Sequence, residues 1–404
     1  MGTSEQPSNW AEASGKRNDQ VVDRLLENAI ADDFKGYDPY DVLKSSFPFS
    51  VFGTFAAAVA TQLHKRNPIN VRPLLGIKKD VNPKAVGLML DAVSGLQQLH
   101  PERDYRKTLS QLFELAESSV SKGFSGACWG YDFAWASPGK YLPPFAPSGV
   151  VTAFMVKGLH RYFLVTGDPR ARRLIESAAT FVQQDLQRTT DATGIAISYT
   201  PFKRDICYNA SLLAADILAR TYSMTGEEQL LKLSHAASQY VIARQQPDGR
   251  WNYSLDESSG REREQVDFHQ GYVIDALQSV AELTGSVPAG TAEAVRKGLD
   301  FYQAKQFTPE GRSLWRYPKR YPVDIHNQSQ GIITFSRAAR ALKNPAYAAF
   351  ATTIADWTMD NMYDSRRASF HYRKYPLLAN RIPYLRWSNA WMMVALVELQ
   401  FTLR

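Results

Sequence analysis

The chain has 404 residues, 44% hydrophobic and 22% charged, with a formal net charge of +7. That composition is ordinary for a globular protein, and its two cysteines, Cys128 and Cys207, exclude a disulfide scaffold or a Cys-rich zinc site. Mean hydropathy is −0.33 and no apolar run approaches membrane-spanning length, which excludes a transmembrane helix. The one excess is aromatic: twenty Tyr, twenty Phe and eight Trp.

Residues 1–17, MGTSEQPSNWAEASGKR, are polar and lack the apolar stretch of a secretory signal. They are expected to be a disordered tail on a cytoplasmic protein, and Gln6 stands where an N-myristoylation motif needs Ser or Thr. From there the chain alternates between two kinds of helical pattern. Amphipathic ones are expected over about 18–34, 103–122, 171–188, 227–246, 291–306 and 345–362. In the second, Leu109, Leu112, Phe113, Ala116 and Val120 form one apolar stripe between polar residues. More uniformly apolar ones, expected to be buried on most sides, follow over about 83–99, 148–165, 209–224, 269–284, 327–342 and 388–402.

Between the first kind and the second lies a recurring aromatic segment: CWGYDF, AISYTP, RWNYSL, LWRYPK and SFHYRK, with a diverged copy in GYDPYD. Their tyrosines, Tyr131, Tyr199, Tyr253, Tyr317 and Tyr372, are 68, 54, 64 and 55 residues apart. Five of the apolar helices then end in short turns rich in Gly and Pro, such as TGDPR and TGEEQ, which stop a helix for steric reasons. The repeating unit is outer helix, aromatic loop, inner helix, turn, and it occurs six times. The predicted fold is all-α, a single-domain (α/α)6 toroid over 18–404, with a helical insertion at about 47–80 over one mouth.

In that fold the aromatic loops and the N-termini of the inner helices share one face, where free N–H groups favour an anionic ligand. The most specific feature there is a repeated Asp-x-His, Asp267-Phe268-His269 and Asp324-Ile325-His326, at equivalent positions of successive hairpins. Capping explains an aspartate at a helix start but not a histidine two residues on. The two pairs lie on separate hairpins without Cys or Glu-x-x-His support, so neither a metal nor a cofactor is expected. General acid–base chemistry suits them, with His269 and His326 as base and acid and Asp267 and Asp324 orienting the rings. Tyr199, Tyr253, Tyr317, Arg316, Arg320, Arg386, Asn209, Asn327 and Asn389 are candidates for holding the substrate and its carboxylate. Trp129 and Trp251 are either sugar-stacking platforms or wedges that fix the loops to the barrel.

The string from WGYDFAW to VVTAFM, with CYNASLLAADIL, QQPDGRWNYSLD, DFHQGYVIDAL and YPVDIHNQSQGIITF, resembles the VpsJ-like family of bacterial polysaccharide-biosynthesis clusters. The resemblance covers roughly residues 30–404. It implies the six-hairpin toroid and a role near exopolysaccharide or cell-surface glycan assembly, and it supplies no reaction. The expected partners are an acidic saccharide or sugar-containing precursor and other polysaccharide-assembly proteins, and no nucleic acid. Three functions follow: an epimerase or lyase working by proton abstraction, a glycoside hydrolase using Asp267 and Asp324, or a non-catalytic glycan-binding subunit.

Overall fold

A computed structural model describes residues 7–137 and 140–404. Among them thirteen α-helices follow in chain order. They are α1 Pro7–Ala31, α2 Gly53–His64, α3 Pro83–Leu99, α4 Arg106–Ser118, α5 Gly149–Thr166, α6 Pro169–Gln184 and α7 Tyr208–Thr225, then α8 Glu228–Ile242, α9 His269–Thr284, α10 Thr291–Gln306, α11 Ile325–Ala341, α12 Pro345–Met362 and α13 Ala390–Leu403.

Six of them, α3, α5, α7, α9, α11 and α13, form a closed inner ring. Each packs on the next, and α13 packs back on α3. Their sequences dictate that place: in α5 every residue from Gly149 to His160 is buried, so no face is left for water. The outer helices carry one apolar stripe each. In α6, Ala171, Ile175, Ala178, Ala179, Phe181 and Val182 are buried, and the arginines and glutamines lie on the opposite side. The fold is the predicted (α/α)6 toroid.

Local chemistry sets the helix ends. Asn82, Asp168 and Asn344 each accept a backbone N–H with their side chains, and a proline follows at the first helical position. At the other end Gly167, Gly226 and Gly285 take φ of 69°, 71° and 62°, a left-handed turn that L side chains resist. The threonine before each, Thr166, Thr225 and Thr284, donates its hydroxyl to the carbonyl four residues back.

Two expectations change. Helix α1 begins at Pro7, so residues 7–17 belong to it rather than to a tail, and residues 1–6 lie outside the described residues. The aromatic loops also carry short antiparallel strands. Ile206–Cys207 pairs with Ser254–Asp256, which pairs with Arg261–Arg263, so the loop before α7 is stitched to the loop before α9. The insertion contributes α2, which packs on the strand Trp135–Ser137.

One clip repeats around the ring. Near the start of an inner helix a polar side chain accepts the backbone N–H of the aromatic loop. Thr152 takes Trp129, Ser211 takes Ile197, Gln270 takes Trp251, Gln328 takes Ser313 and Asn389 takes Phe370, at 2.6–3.1 Å. Four loops also press a glycine onto the next outer helix. A Cβ on Gly126, Gly194, Gly249 or Gly311 would lie 2.0–2.5 Å from a backbone carbonyl of α6, α8, α10 or α12. These contacts hold the loops at fixed height on the ring, which is what a site built from loops requires.

Candidate active site

A cavity of about 1150 Å3 opens where the six inner helices begin. Its wall contains an equivalent residue from every hairpin: Lys84, Val150, Asn209, His269, His326 and Arg386. Lys84, Val150, Asn209 and His326 stand two residues after the N-caps Asn82, Ser148, Cys207 and Asp324. His269 opens α9 two residues after Asp267, which accepts its backbone N–H, and Arg386 follows Tyr384 by two in the π-turn that leads into α13. This register turns a helix-capping pattern into a six-membered ring of side chains facing one space. Helix α2 adds Phe55, Val59 and Leu63 to the wall, and Lys65 follows at its C-terminal end.

His269 is hydrogen-bonded through Nδ1 to the Asp267 carboxylate, and its ring meets Tyr253 edge-on at 4.8 Å. Asp267 also accepts Gln265 Nε2 at 2.8 Å, and Arg316 Nε lies 3.5 Å from Oδ2. Burial alone would raise the Asp267 pKa, but His269 and Arg316 outweigh it and hold the carboxyl below its ordinary range. Asp267 therefore stays ionised and fixes the His269 ring so that Nε2 remains its free nitrogen.

His326 is set differently. It is 1% exposed, stacked on Phe268 at 4.1 Å and flanked by Trp387 and Trp391 at 4.8 and 4.5 Å. Its Nε2 forms a 2.6 Å hydrogen bond with the Tyr272 hydroxyl. Burial, reinforced by Lys84 and Arg386, pushes its pKa well below the usual imidazole value, so the ring is neutral. Asp324, expected to orient this ring, instead caps α11: Oδ1 accepts the His326 backbone N–H at 3.1 Å and Trp387 Nε1 at 2.8 Å, while Oδ2 accepts Arg373 Nε at 2.8 Å. The partner of the His326 ring is Tyr272, one helix away.

Around the pair, Tyr199, Tyr253 and Asn209 line the cavity. Burial raises both tyrosine pKa values well above 10, so these phenols act as neutral hydrogen-bonding groups. Asn209 accepts the Cys207 thiol at 3.0 Å. Arg386 faces the cavity, but its guanidinium already grips Asp38, with Nη2 2.8 Å from Oδ1. Asn327 reaches the cavity edge while spending its amide on the loop: it accepts Phe268 N–H at 2.9 Å and donates to the Leu314 and Trp315 carbonyls.

The structure places five expected residues elsewhere. Trp129 and Trp251 are fully buried behind the loops, and their indole N–H groups donate to the carbonyls of Ala116 and Val241 at 2.8 and 2.9 Å. They are wedges, because a ring that fills the gap between loop and outer helix has no face left for a sugar. Asn389 is a loop clip, Tyr317 packs edge-on against Phe301 at 5.6 Å, and Arg320 is exposed outside the cavity. Aromatic residues that do line the cavity include Trp135, Trp315, Trp387, Tyr131 and Phe268.

Sequence reasoning missed Lys84, Tyr272, Arg373 and the Asp38–Arg386 pair. Two had a signal. Lys84 follows Asn82 at the same two-residue offset as the histidines, and Tyr272 sits three residues after His269, on the same helix face. Among the described residues no group of three His, Cys, Asp or Glu is gathered for a metal ion, and no helix is long and apolar enough to cross a membrane.

No protein-family model matches this sequence, and no curated protein matches it. Solved structures share the fold at low identity. Cellobiose 2-epimerase from Bacillus thermoamylovorans superposes with a TM-score of 0.62 at 14% identity, over 79% of this chain and 88% of that one. An α-1,6-mannanase of glycoside hydrolase family 76 from Salegentibacter gives 0.61 at 14%, over 81% and 91%. A possible member of glycoside hydrolase family 105 from Salmonella enterica gives 0.61 at 10%, over 79% and 82%. The class defined by the fold is the six-hairpin toroid.

Proposed function

We propose that this protein is a carbohydrate-active enzyme that moves a proton at a carbon of an acidic saccharide, as an epimerase or lyase does. The observation that carries this reading is the pair of unlike imidazoles on one cavity. His269 is held by a carboxylate that stays ionised, while His326 is kept neutral by burial and bonded to Tyr272. Two imidazoles with unlike partners on one cavity, one bonded to a carboxylate and one to a phenol, suit two proton-transfer roles on one substrate. His326, which is neutral, is assigned the base and His269, bonded to Asp267, the acid, the reverse of the order expected from sequence.

Charge supports an acidic substrate: nine Lys and Arg line the cavity against five Asp and Glu. The cavity volume accommodates more than one sugar ring. Solved structures with this fold include sugar epimerases, α-mannanases and a D-mannose isomerase, which supports a saccharide as substrate. The VpsJ-like motifs quoted above support a place in polysaccharide or cell-surface glycan assembly. Hydrolysis by an aspartate pair is the weaker reading, because Asp324 is engaged at both oxygens and Asp267 is held ionised and cannot give up a proton near neutral pH.

A panel of uronic acids and uronate-containing oligosaccharides, analysed by chromatography and near-ultraviolet absorbance, tests the proposal. The wild type is expected to form an epimer or an unsaturated product, and His326→Ala and His269→Ala to form neither. Release of reducing ends that survives His326→Ala and is lost in Asp324→Asn would favour hydrolysis instead. Binding without turnover on every member would leave a glycan-binding subunit.

A further inference from the structure

Among the described residues, the cavity holds one buried lysine with no carboxylate partner. Lys84, in the first turn of α3, is 3% exposed and lines the cavity floor. Its ammonium lies 4.2 Å from the ring centre of Phe154, 5.3 Å from Trp391 and 5.7 Å from Tyr272. Those three rings contact one another and form a layer beneath it. Among the described residues no carboxylate lies within ion-pair distance of Lys84. The other deep cations are already paired, Arg386 with Asp38 and Arg373 with Asp324.

Burial, reinforced by Arg386, pushes the Lys84 pKa well below its ordinary value, because an ammonium taken out of water is unfavourable unless something else supplies the opposite charge. The aromatic layer supplies part of it through cation–π attraction. The rest is open towards the cavity, and the lysine shares two of its aromatic neighbours, Tyr272 and Trp391, with the imidazole of His326.

Resting on the proposed function above, we infer that Lys84 is the residue that binds the substrate's carboxylate, placing the carbon next to that carboxylate beside His326. The residues favoured by sequence for that task, Arg316, Arg320 and Arg386, are respectively set against Asp267, outside the cavity, and bonded to Asp38. A carboxylate on Lys84 would also spread the negative charge that develops when a base removes the neighbouring proton. The electron pair then passes into the carboxylate, and a proton returned from the opposite side completes an inversion with no other reactant.

The test compares D-glucuronate, D-galacturonate and D-mannuronate with D-glucose, D-galactose and D-mannose by calorimetric titration. At least one acid is expected to bind the wild type about tenfold tighter than its neutral parent, the ratio one charge-assisted hydrogen bond supplies. In Lys84→Met that ratio falls to about one, while thermal unfolding is unchanged or raised, because a buried amino group without a carboxylate partner has been removed. A second measurement uses the wild type alone: the tightest acid protects Lys84 from reductive methylation, read by peptide mass mapping, and the neutral parent does not. Equal binding of every acid and its parent, or a ratio that persists in Lys84→Met, overturns the inference. Lys84-dependent binding without proton exchange would sink the proposed reaction and leave the anion site standing. Proton exchange that is unchanged in Lys84→Met would do the reverse.

Discussion

The Tyr272 hydroxyl lies 2.6 Å from Nε2 of His326, so a residue of α9 sets the proton position on a histidine of α11. The same helix carries His269 one turn earlier, which makes α9 the element that holds one imidazole and tunes the other. Tyr272→Phe keeps the ring packing and removes only the hydroxyl. Turnover is expected to fall by about 10–100-fold, in the lower range for a group supporting acid–base catalysis. KM should change little and the acidic limb of the pH profile, which reports protonation of the base, should move, as steady-state kinetics across pH would show.

Trp251 tests the distinction between wedge and platform. Its indole N–H is bonded to the Val241 carbonyl and its ring presses on Gly298. Trp251→Phe is expected to lower stability by about 2–3 kcal/mol, the sum of lost contacts and an unsatisfied carbonyl. Saccharide affinity should stay the same. Trp387→Phe, on the cavity wall, should weaken binding or turnover by comparison. Denaturant melts and titration calorimetry separate the two effects.

Asp38 and Arg386 are 348 residues apart in sequence and both buried, with the guanidinium over the rings of Tyr131 and Trp387. The pair ties the first loop to the last hairpin. Removing one partner leaves a buried charge, so Asp38→Ala is expected to cost about 3–5 kcal/mol. The double variant Asp38→Ala with Arg386→Met should recover part of that loss. Chemical denaturation of the single and double variants measures both.

Stability should fall on the acid side. Burial pushes His160 down to about 3, with Arg220, which contacts Nδ1 at 3.2 Å, adding to the effect and Asp216 opposing it. The unfolded imidazole titrates near 6.5, so below that pH the unfolded chain binds a proton that the native state refuses. The stabilisation is complete above pH 6.5 and declines toward pH 3 by about 1.4 kcal/mol per unit for each such histidine. His160→Gln should reduce the slope of unfolding free energy against pH over that window relative to the wild type.

Gly249→Ala probes the loop-to-helix contact. Its φ is 94°, and a Cβ would stand 2.3 Å from the Lys297 carbonyl oxygen. The strained backbone costs about 1–3 kcal/mol and the clash a comparable amount. Gly226→Ala, with open space around it, should cost only the conformational part.

The fold was legible because its signal is periodic. All six inner helices start within two residues of the expected positions, and α3 and α9 begin at Pro83 and His269 as expected. His269 and His326 could be found because capping leaves a histidine unexplained. Lys84 occupies the same register but escaped, since the insertion carrying α2 hides the first repeat and a lysine near a helix start looks solvated. The tryptophans misled for a physical reason: the same flat ring that stacks on a sugar also fills the gap under a loop, and composition does not say which face is open. The Asp324 role could not be read either, because an aspartate that caps a helix and one that orients a ring have the same spacing. Contacts across the ring, Tyr272 to His326 and Asp38 to Arg386, depend on closure and have no local signature.

The central claim is proton transfer between a substrate carbon and the His269–His326 pair. Solvent deuterium incorporation, followed by proton NMR of uronic acids incubated with the enzyme in D2O, measures it directly. The account predicts loss of the signal of the proton next to the carboxylate with the wild type, and its retention with His326→Ala and with His269→Ala. Conversion of a saccharide without any carbon-bound deuterium, or exchange that continues undiminished in both variants, would contradict it.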